Sequence, residues 1–120
     1  MRFIIALLFT AAVASADGAP QWQLRSLDGK PFTARAVMQI GPDGSLSGRA
    51  PCNAFSGKVA AGSGAFAVGP LRATRMACPD LRAESQFFKA LGQMKTMRQR
   101  PDQLVLTGPG GRKMVFTPAD

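Results

Sequence analysis

Gly48-Arg49-Ala50-Pro51-Cys52-Asn53-Ala54-Phe55-Ser56-Gly57 and Ala73-Thr74-Arg75-Met76-Ala77-Cys78-Pro79 contain the only two cysteines of this 120-residue chain. Pro, Cys, Asn, Ser and Gly follow one another closely between Pro51 and Gly57, which predicts an irregular corner, with Asn53 suited to an Asx turn. Neither segment combines a nucleophile with a base, or sets metal ligands at workable spacing. The stretch therefore points to a scaffold before it points to a reaction.

On both sides of this corner the chain alternates. Upstream, Gln21 to Leu27 carries Trp22 and Leu24 on one parity and stops at Asp28-Gly29, so it reads as a first strand with Trp22 at the core edge. Phe32 to Ile40 reads as a second strand, with Phe32, Ala34, Ala36, Met38 and Ile40 on one face. Gly41-Pro42-Asp43-Gly44 turns it into a hairpin around residues 32 to 49. Between the cysteines, Lys58 to Ala60 resumes as a strand. Ala61-Gly62-Ser63-Gly64 turns, Ala65 to Val68 returns, and Leu71 to Arg75 is extended.

Downstream of the second cysteine the period changes from two to 3.6. Asp80 is placed as an N-cap for a helix over roughly residues 81 to 94, and Glu84 in the first turns suits the helix dipole. Leu81, Phe88, Leu91 and Lys95 lie along one line, with Phe87 and Met94 beside it, as the expected buried stripe. Arg82, Gln86, Lys89 and Gln93 form the wet face. Thr96 to Gln99, Gln103 to Thr107 and Arg112 to Thr117 read as closing strands. In the last two, Leu104, Leu106, Met114 and Phe116 face inward and Val105 and Val115 face the other side. Several short strands, one helix and more strands predict an α+β domain whose antiparallel sheet curves around or packs on the amphipathic helix. Phe55 and Phe66 join the core candidates.

Residues 1–16 have the features of a signal peptide: Arg2, an apolar run from Phe3 to Val13, and Ala14-Ser15-Ala16 as a small-x-small cleavage site. No cysteine follows that site to take a lipid anchor. The expectation is a single domain over residues 17–120, periplasmic or secreted, with no transmembrane segment after cleavage, and monomeric. Beyond Ala16 the chain keeps fourteen basic against seven acidic residues, a net of +7, and such a surface attracts polyanions. The chain has no histidine, so it lacks the side chain best suited to proton transfer near neutral pH and the usual zinc, copper and haem ligand. No metal or cofactor is expected.

In an oxidising compartment Cys52 and Cys78 read most simply as a disulfide closing a loop of about 25 residues, worth roughly 3 to 4 kcal/mol in the chain-entropy model. The alternative is a redox or nucleophilic thiol, with Arg75 lowering the pKa of Cys78 if it sits close. Asp28, Asp43, Asp80 and Asp102 fall at predicted turns or caps, and Glu84 on the helix is placed within reach of Arg75 or on the wet face. Ser56-x-Lys58 lacks the buried pocket that would activate a lysine. Gly108 to Gly111 lacks the Lys-Ser/Thr and the following helix of a phosphate loop.

The ordered set of motifs resembles the META (HslJ-like) domain family over roughly Trp22 to Phe116. The resemblance is carried by Trp22-x-Leu24, by Cys52-Asn53-x-Phe55-x-Gly57, by Thr74-x-Met76-x-Cys78-Pro79, by Glu84 and the helix to Leu91, and by Leu104-x-Leu106. It implies a strongly bent antiparallel sheet, a partial barrel, packed around one helix, in envelope or exported proteins linked to stress and heat shock. It implies no established reaction. The family has Gly directly before the Cys-Asn pair and this chain has Pro51. Either the corner differs locally or it never needed a positive φ.

Arg72, Arg75, Arg82, Lys89, Lys95, Arg98 and Arg100 fall within one third of the chain and are the candidate patch for an anionic envelope component or an acidic protein. Nucleic acid is not expected, because export removes the usual partner and the phenylalanines are needed in the core. The expected function is a non-enzymatic, exported stress-tolerance or binding module. The alternatives are a secreted inhibitor presenting the disulfide-bounded loop, or a thiol-redox protein using Cys52 and Cys78.

Overall fold

The alternating segments form ten strands and one α-helix in a computed structural model, which describes residues 19–120. The expected signal peptide and its cleavage after Ala16 lie outside the described residues. In chain order the elements are β1 (Gln21–Leu27), β2 (Lys30–Pro31), β3 (Val37–Ile40), β4 (Ser45–Arg49), β5 (Ala54–Gly62), β6 (Ala65–Val68) and β7 (Arg72–Ala73). Then come α1 (Leu81–Gln93), β8 (Thr96–Arg100), β9 (Gln103–Thr107), a short 3-10 turn at Pro109–Gly111 and β10 (Lys113–Pro118).

The sheet is antiparallel and runs β1-β3-β4-β5-β6-β8-β9-β10, with β10 pairing back onto β1 and β2 and β7 lying against β1 and β5. The ring is therefore closed where a partial barrel was expected. Its closing seam joins segments far apart in sequence, Trp22 opposite Pro118 and Leu24 opposite Phe116, with a bulge between Leu24 and Ser26. Its narrowest join is between β6 and β8. There the ladder is the single pair Ala65 and Thr96, flanked by Phe66 N–H to Lys95 O at 2.9 Å and Met97 N–H to Gly64 O at 2.8 Å.

One parity of each strand fills the barrel. Trp22, Leu24, Met38, Leu46, Phe55, Phe66, Leu104, Leu106, Met114 and Phe116 are buried, and Val105 and Val115 sit half-buried on the other face. Burying each of the large side chains contributes about 1.5 to 3 kcal/mol. The helix adds Phe87, Ala90, Leu91 and Met94 to the same core. Phe55, Phe87 and Phe88 meet with ring centroids 5.3 to 5.6 Å apart, tying α1 to β5.

Three local expectations change. The second strand is broken: residues 32 to 36 leave the ladder, although Phe32 N–H still bonds Arg25 O and Ala36 O still accepts from Leu24 N–H, so the inward parity of Ala36 and Met38 survives. The irregular corner is shorter than expected, because β5 starts at Ala54 and runs through Gly57. A Cβ on Gly57 would stand 2.7 Å from Leu71 Cδ2, so this glycine marks a close approach rather than a turn. Finally, the buried line of α1 runs through Glu84, Phe87 and Leu91, while Leu81 is exposed. Asp80 does occupy the N-cap position, yet its side chain makes no cap hydrogen bond, and its own N–H points to Cys78 Sγ at 3.4 Å.

Candidate functional site

The two cysteine segments come together at one corner of the barrel, where β4 passes into β5 and the chain enters α1. Cys52 and Cys78 are joined as a disulfide with Cα atoms 5.7 Å apart. A thiol activated by Arg75 is thus not the state of this corner. The positive-φ residues among the described residues all lie elsewhere, at Asp28, Gly29, Gly44, Ser63, Gly64, Gly110 and Gly111. Pro51 therefore fits without distortion, and the corner never needed the freedom of a glycine there.

Asn53, 3 % exposed, and Glu84, 5 % exposed, are the buried polar residues among the described residues. One carboxylate oxygen of Glu84 accepts the backbone N–H groups of Cys52 and Asn53 at 2.8 Å each, and the other accepts Asn53 Nδ2 at 2.6 Å. The same Nδ2 donates to Met76 O at 3.0 Å. Asn53 Oδ1 accepts from Met76 N–H at 2.6 Å and from Thr74 Oγ1 at 2.8 Å. Thr74 Oγ1 in turn accepts Ala54 N–H at 3.2 Å. Burial of a carboxylate and an amide is tolerable only because their bonding capacity is used. Chemically the arrangement is a clamp: its donors and acceptors are spent inside the protein.

Glu84 thus faces inward, not toward Arg75 or the wet face, and neither ion pair among the described residues includes it. The 3.6 periodicity pointed to Leu81 as the apolar end of the stripe. A helix that must deliver a carboxylate to waiting amides is rotated so that position 84 is buried instead. The remaining motif residues divide. Phe55 packs in the aromatic trio and Gly57 admits Leu71, whereas Pro79 is exposed and Met76 is 66 % exposed although its backbone is held on both sides by Asn53.

Two of the other acids serve turns. Asp43 accepts Ser45 N–H and Oγ at 3.0 and 2.9 Å, and these bonds hold its carboxyl below the usual value. Asp28 accepts Lys113 N–H at 2.9 Å and Arg112 Nη2 at 2.8 Å. The backbone bond first, and the guanidinium second, keep its carboxyl below the ordinary range. Among the described residues, no three of Cys, Asp and Glu converge as metal ligands would.

Arg72, Arg75, Arg82, Lys89, Lys95, Arg98 and Arg100 are all exposed. Three of them line surface hollows: Arg72 with Lys58, Lys89 with Lys30 and Arg112, and Arg98 with Lys113. None of those three hollows contains two of the seven. A different pair of cations shares one. On the outer face of β3 and β4, beside the corner, a hollow of about 570 Å³ is lined by Arg35 and Arg49 together with Val37, Gln39, Ser47 and Pro51 among others. Sequence reasoning missed this pair. Arg35 could be read on the outward parity of its segment, but its meeting with Arg49 depends on the β3–β4 register, Val37 opposite Arg49.

The sequence pattern of the META domain family matches residues 16–120. No curated protein matches the chain. Among solved structures, the chain is similar to a Burkholderia xenovorans protein determined by NMR, with a TM-score of 0.67 and 22% identity over 92% of this chain and 95% of that one. It is also similar to a crystal structure of a duf4847 family protein from Bacteroides vulgatus ATCC 8482, with a TM-score of 0.67 and 12% identity over 88% of this chain and 97% of that one. At these identities the likeness is one of fold.

Proposed function

Because the chain belongs to the META domain family, we propose that it is a non-enzymatic binding module of the cell envelope, periplasmic or secreted, which contributes to stress tolerance by holding an anionic partner. The observation that carries this reading is the clamp. Asn53, Thr74, Glu84 and the Cys52–Cys78 pair are used up in internal bonds, which supports a scaffold role for the motif and leaves the surface to do the work. That surface is cationic. Only Arg25 and Arg112 are in ion pairs among the described residues, so most of the positive charge is free to attract an anion. An extracytoplasmic address is supported by the disulfide, and no helix among the described residues is long and apolar enough to cross a membrane.

Pull-down from an envelope extract tests this. Capture of a partner at low salt that is lost at moderate salt is the expected result, and no capture at low salt overturns the reading.

One observation favours a second reading, a secreted inhibitor. Residues 74 to 77 are exposed and yet tied down, at Thr74 and Met76 by Asn53 and at Cys78 by the disulfide. A rigid exposed segment of this kind suits insertion into a protease cleft, because little ordering cost remains on binding. Salt-resistant capture of a protease would select it.

A further inference from the structure

We propose that the hollow on the outer face of β3 and β4 is a site for an amphiphilic anion, a single oxyanion headgroup attached to an apolar body, with Arg35 and Arg49 as the headgroup ligands. The inference rests on the binding role proposed above and gives that role a site and a ligand class.

The register builds the site. Val37 lies opposite Gln23 of β1 on one side and Arg49 of β4 on the other. Arg35, two residues before Val37, reaches toward β1 and donates Nη1 to Gln23 Oε1 at 3.0 Å. Arg35 therefore reaches the β1 side of Val37, Arg49 stands on its β4 side, and both line the hollow. The partner of Arg35 is a neutral amide, and Arg49 makes no side-chain hydrogen bond or ion pair among the described residues, so neither charge is compensated. No carboxylate lines the hollow. An oxyanion is the complement of two unpaired guanidinium forks, which match carboxylate and phosphate oxygens in geometry as well as charge.

The rest of the wall asks for something apolar. Val37, Ala50, Pro51 and Ala54 contribute hydrocarbon surface, and Ser47 and Gln39 add neutral polar groups at the rim. At about 570 Å³ the hollow falls within the range of small-molecule sites, about 300 to 1,000 Å³. Its floor is rigid, since β3 and β4 are laddered and the disulfide at Cys52 fixes the next turn. An inorganic ion would leave the apolar wall wet, and an uncharged chain would leave both cations unpaired. A molecule with both parts satisfies both.

The test is an NMR titration of the folded protein, following the amide signals of Val37, Gly48 and Arg49, with sodium decanoate and decyl phosphate below their micellar concentrations. Decanol and inorganic phosphate are the controls. Saturable shifts are expected with the two amphiphilic anions, and the tighter of them tells a carboxylate source from a phosphate one. Decanol and phosphate should bind at least about tenfold more weakly, and Arg35→Gln/Arg49→Gln should weaken the anions by about tenfold or more without moving the thermal midpoint. Absence of shifts at these amides, equal binding of decanol, or unchanged binding in the double variant would overturn the site. If the site fails while the wild-type protein still captures a partner at low salt, the binding role stands. If that capture fails as well, the role falls.

Discussion

Glu84 and Asn53, 31 residues apart, are joined twice, by the backbone N–H of Asn53 at 2.8 Å and by its side-chain amide at 2.6 Å. Through this pair the helix is hydrogen-bonded to the start of β5, and through Asn53 to the segment that holds the second cysteine. The corner behaves as one polar network in an otherwise apolar interior, so removing one member leaves the others buried and unpaired.

Glu84→Gln keeps the shape and places an amide where three N–H groups converge. At least one donor then faces another donor, and the expected loss is about 2 to 3 kcal/mol of stability. Urea unfolding measures it. A loss under about 0.5 kcal/mol would mean that the network carries no weight.

Cys52→Ala/Cys78→Ala, or reduction under mild conditions, releases a loop closed across a sequence separation of 26. The expected cost is about 3 to 4 kcal/mol, with most of the effect in the unfolded chain. Thiol titration of denatured, unreduced protein should find no free thiol, and finding two would refute the bridge itself.

The Asp28 carboxyl is depressed in the folded state from an ordinary value of 3.8. Its contribution is therefore fully present above about pH 4 and is lost as pH falls through the folded pKa. Asp28→Asn suits the φ of 53° at this position and removes the charge. The wild-type protein should have the higher urea midpoint at pH 7, with the gap closing in strong acid. A gap of constant size from neutral pH to pH 2 contradicts the assignment.

Gly48→Ala places a Cβ 2.1 Å from Val37 O and 2.8 Å from Met38 Cα, both backbone atoms that cannot swing aside. The expected destabilisation is about 3 kcal/mol. Gly62→Ala meets nothing within 4 Å and serves as the control. Thermal unfolding of the two variants should differ by many degrees, and equal midpoints would show that β3 and β4 move apart at little cost.

What was legible in the sequence was whatever depends on neighbours along the chain. Parity placed β1, the β3–β4 hairpin, the β5–β6 turn at Ser63–Gly64 and the inward set Leu104, Leu106, Met114 and Phe116, and the 3.6 period located α1 to within a residue at its end. What was not legible depends on partners far away. Gly57 looked like a turn residue because Leu71 is invisible from its local sequence. Glu84 looked solvated because its three donors come from Cys52 and Asn53. Whether the seven basic residues could form one patch was not legible either, because closeness in sequence says nothing of where a barrel carries each strand. Arg35 and Arg49 lie on different strand segments, on either side of the Gly41–Gly44 turn, and share a hollow only through the register of β3 with β4.

The seam between β1 and β10 also governs when this protein becomes a protein. Arg25 meets Thr117 across 92 residues, at 2.7 Å, so β1 leaves the ribosome long before the strand that completes its pairing. Until then Trp22 and Leu24 lack one wall, and the costly long-range closure waits for β10. A nascent chain stopped before Lys113 should remain open to proteases and chaperones. Release of β10 is then the event that locks the ring.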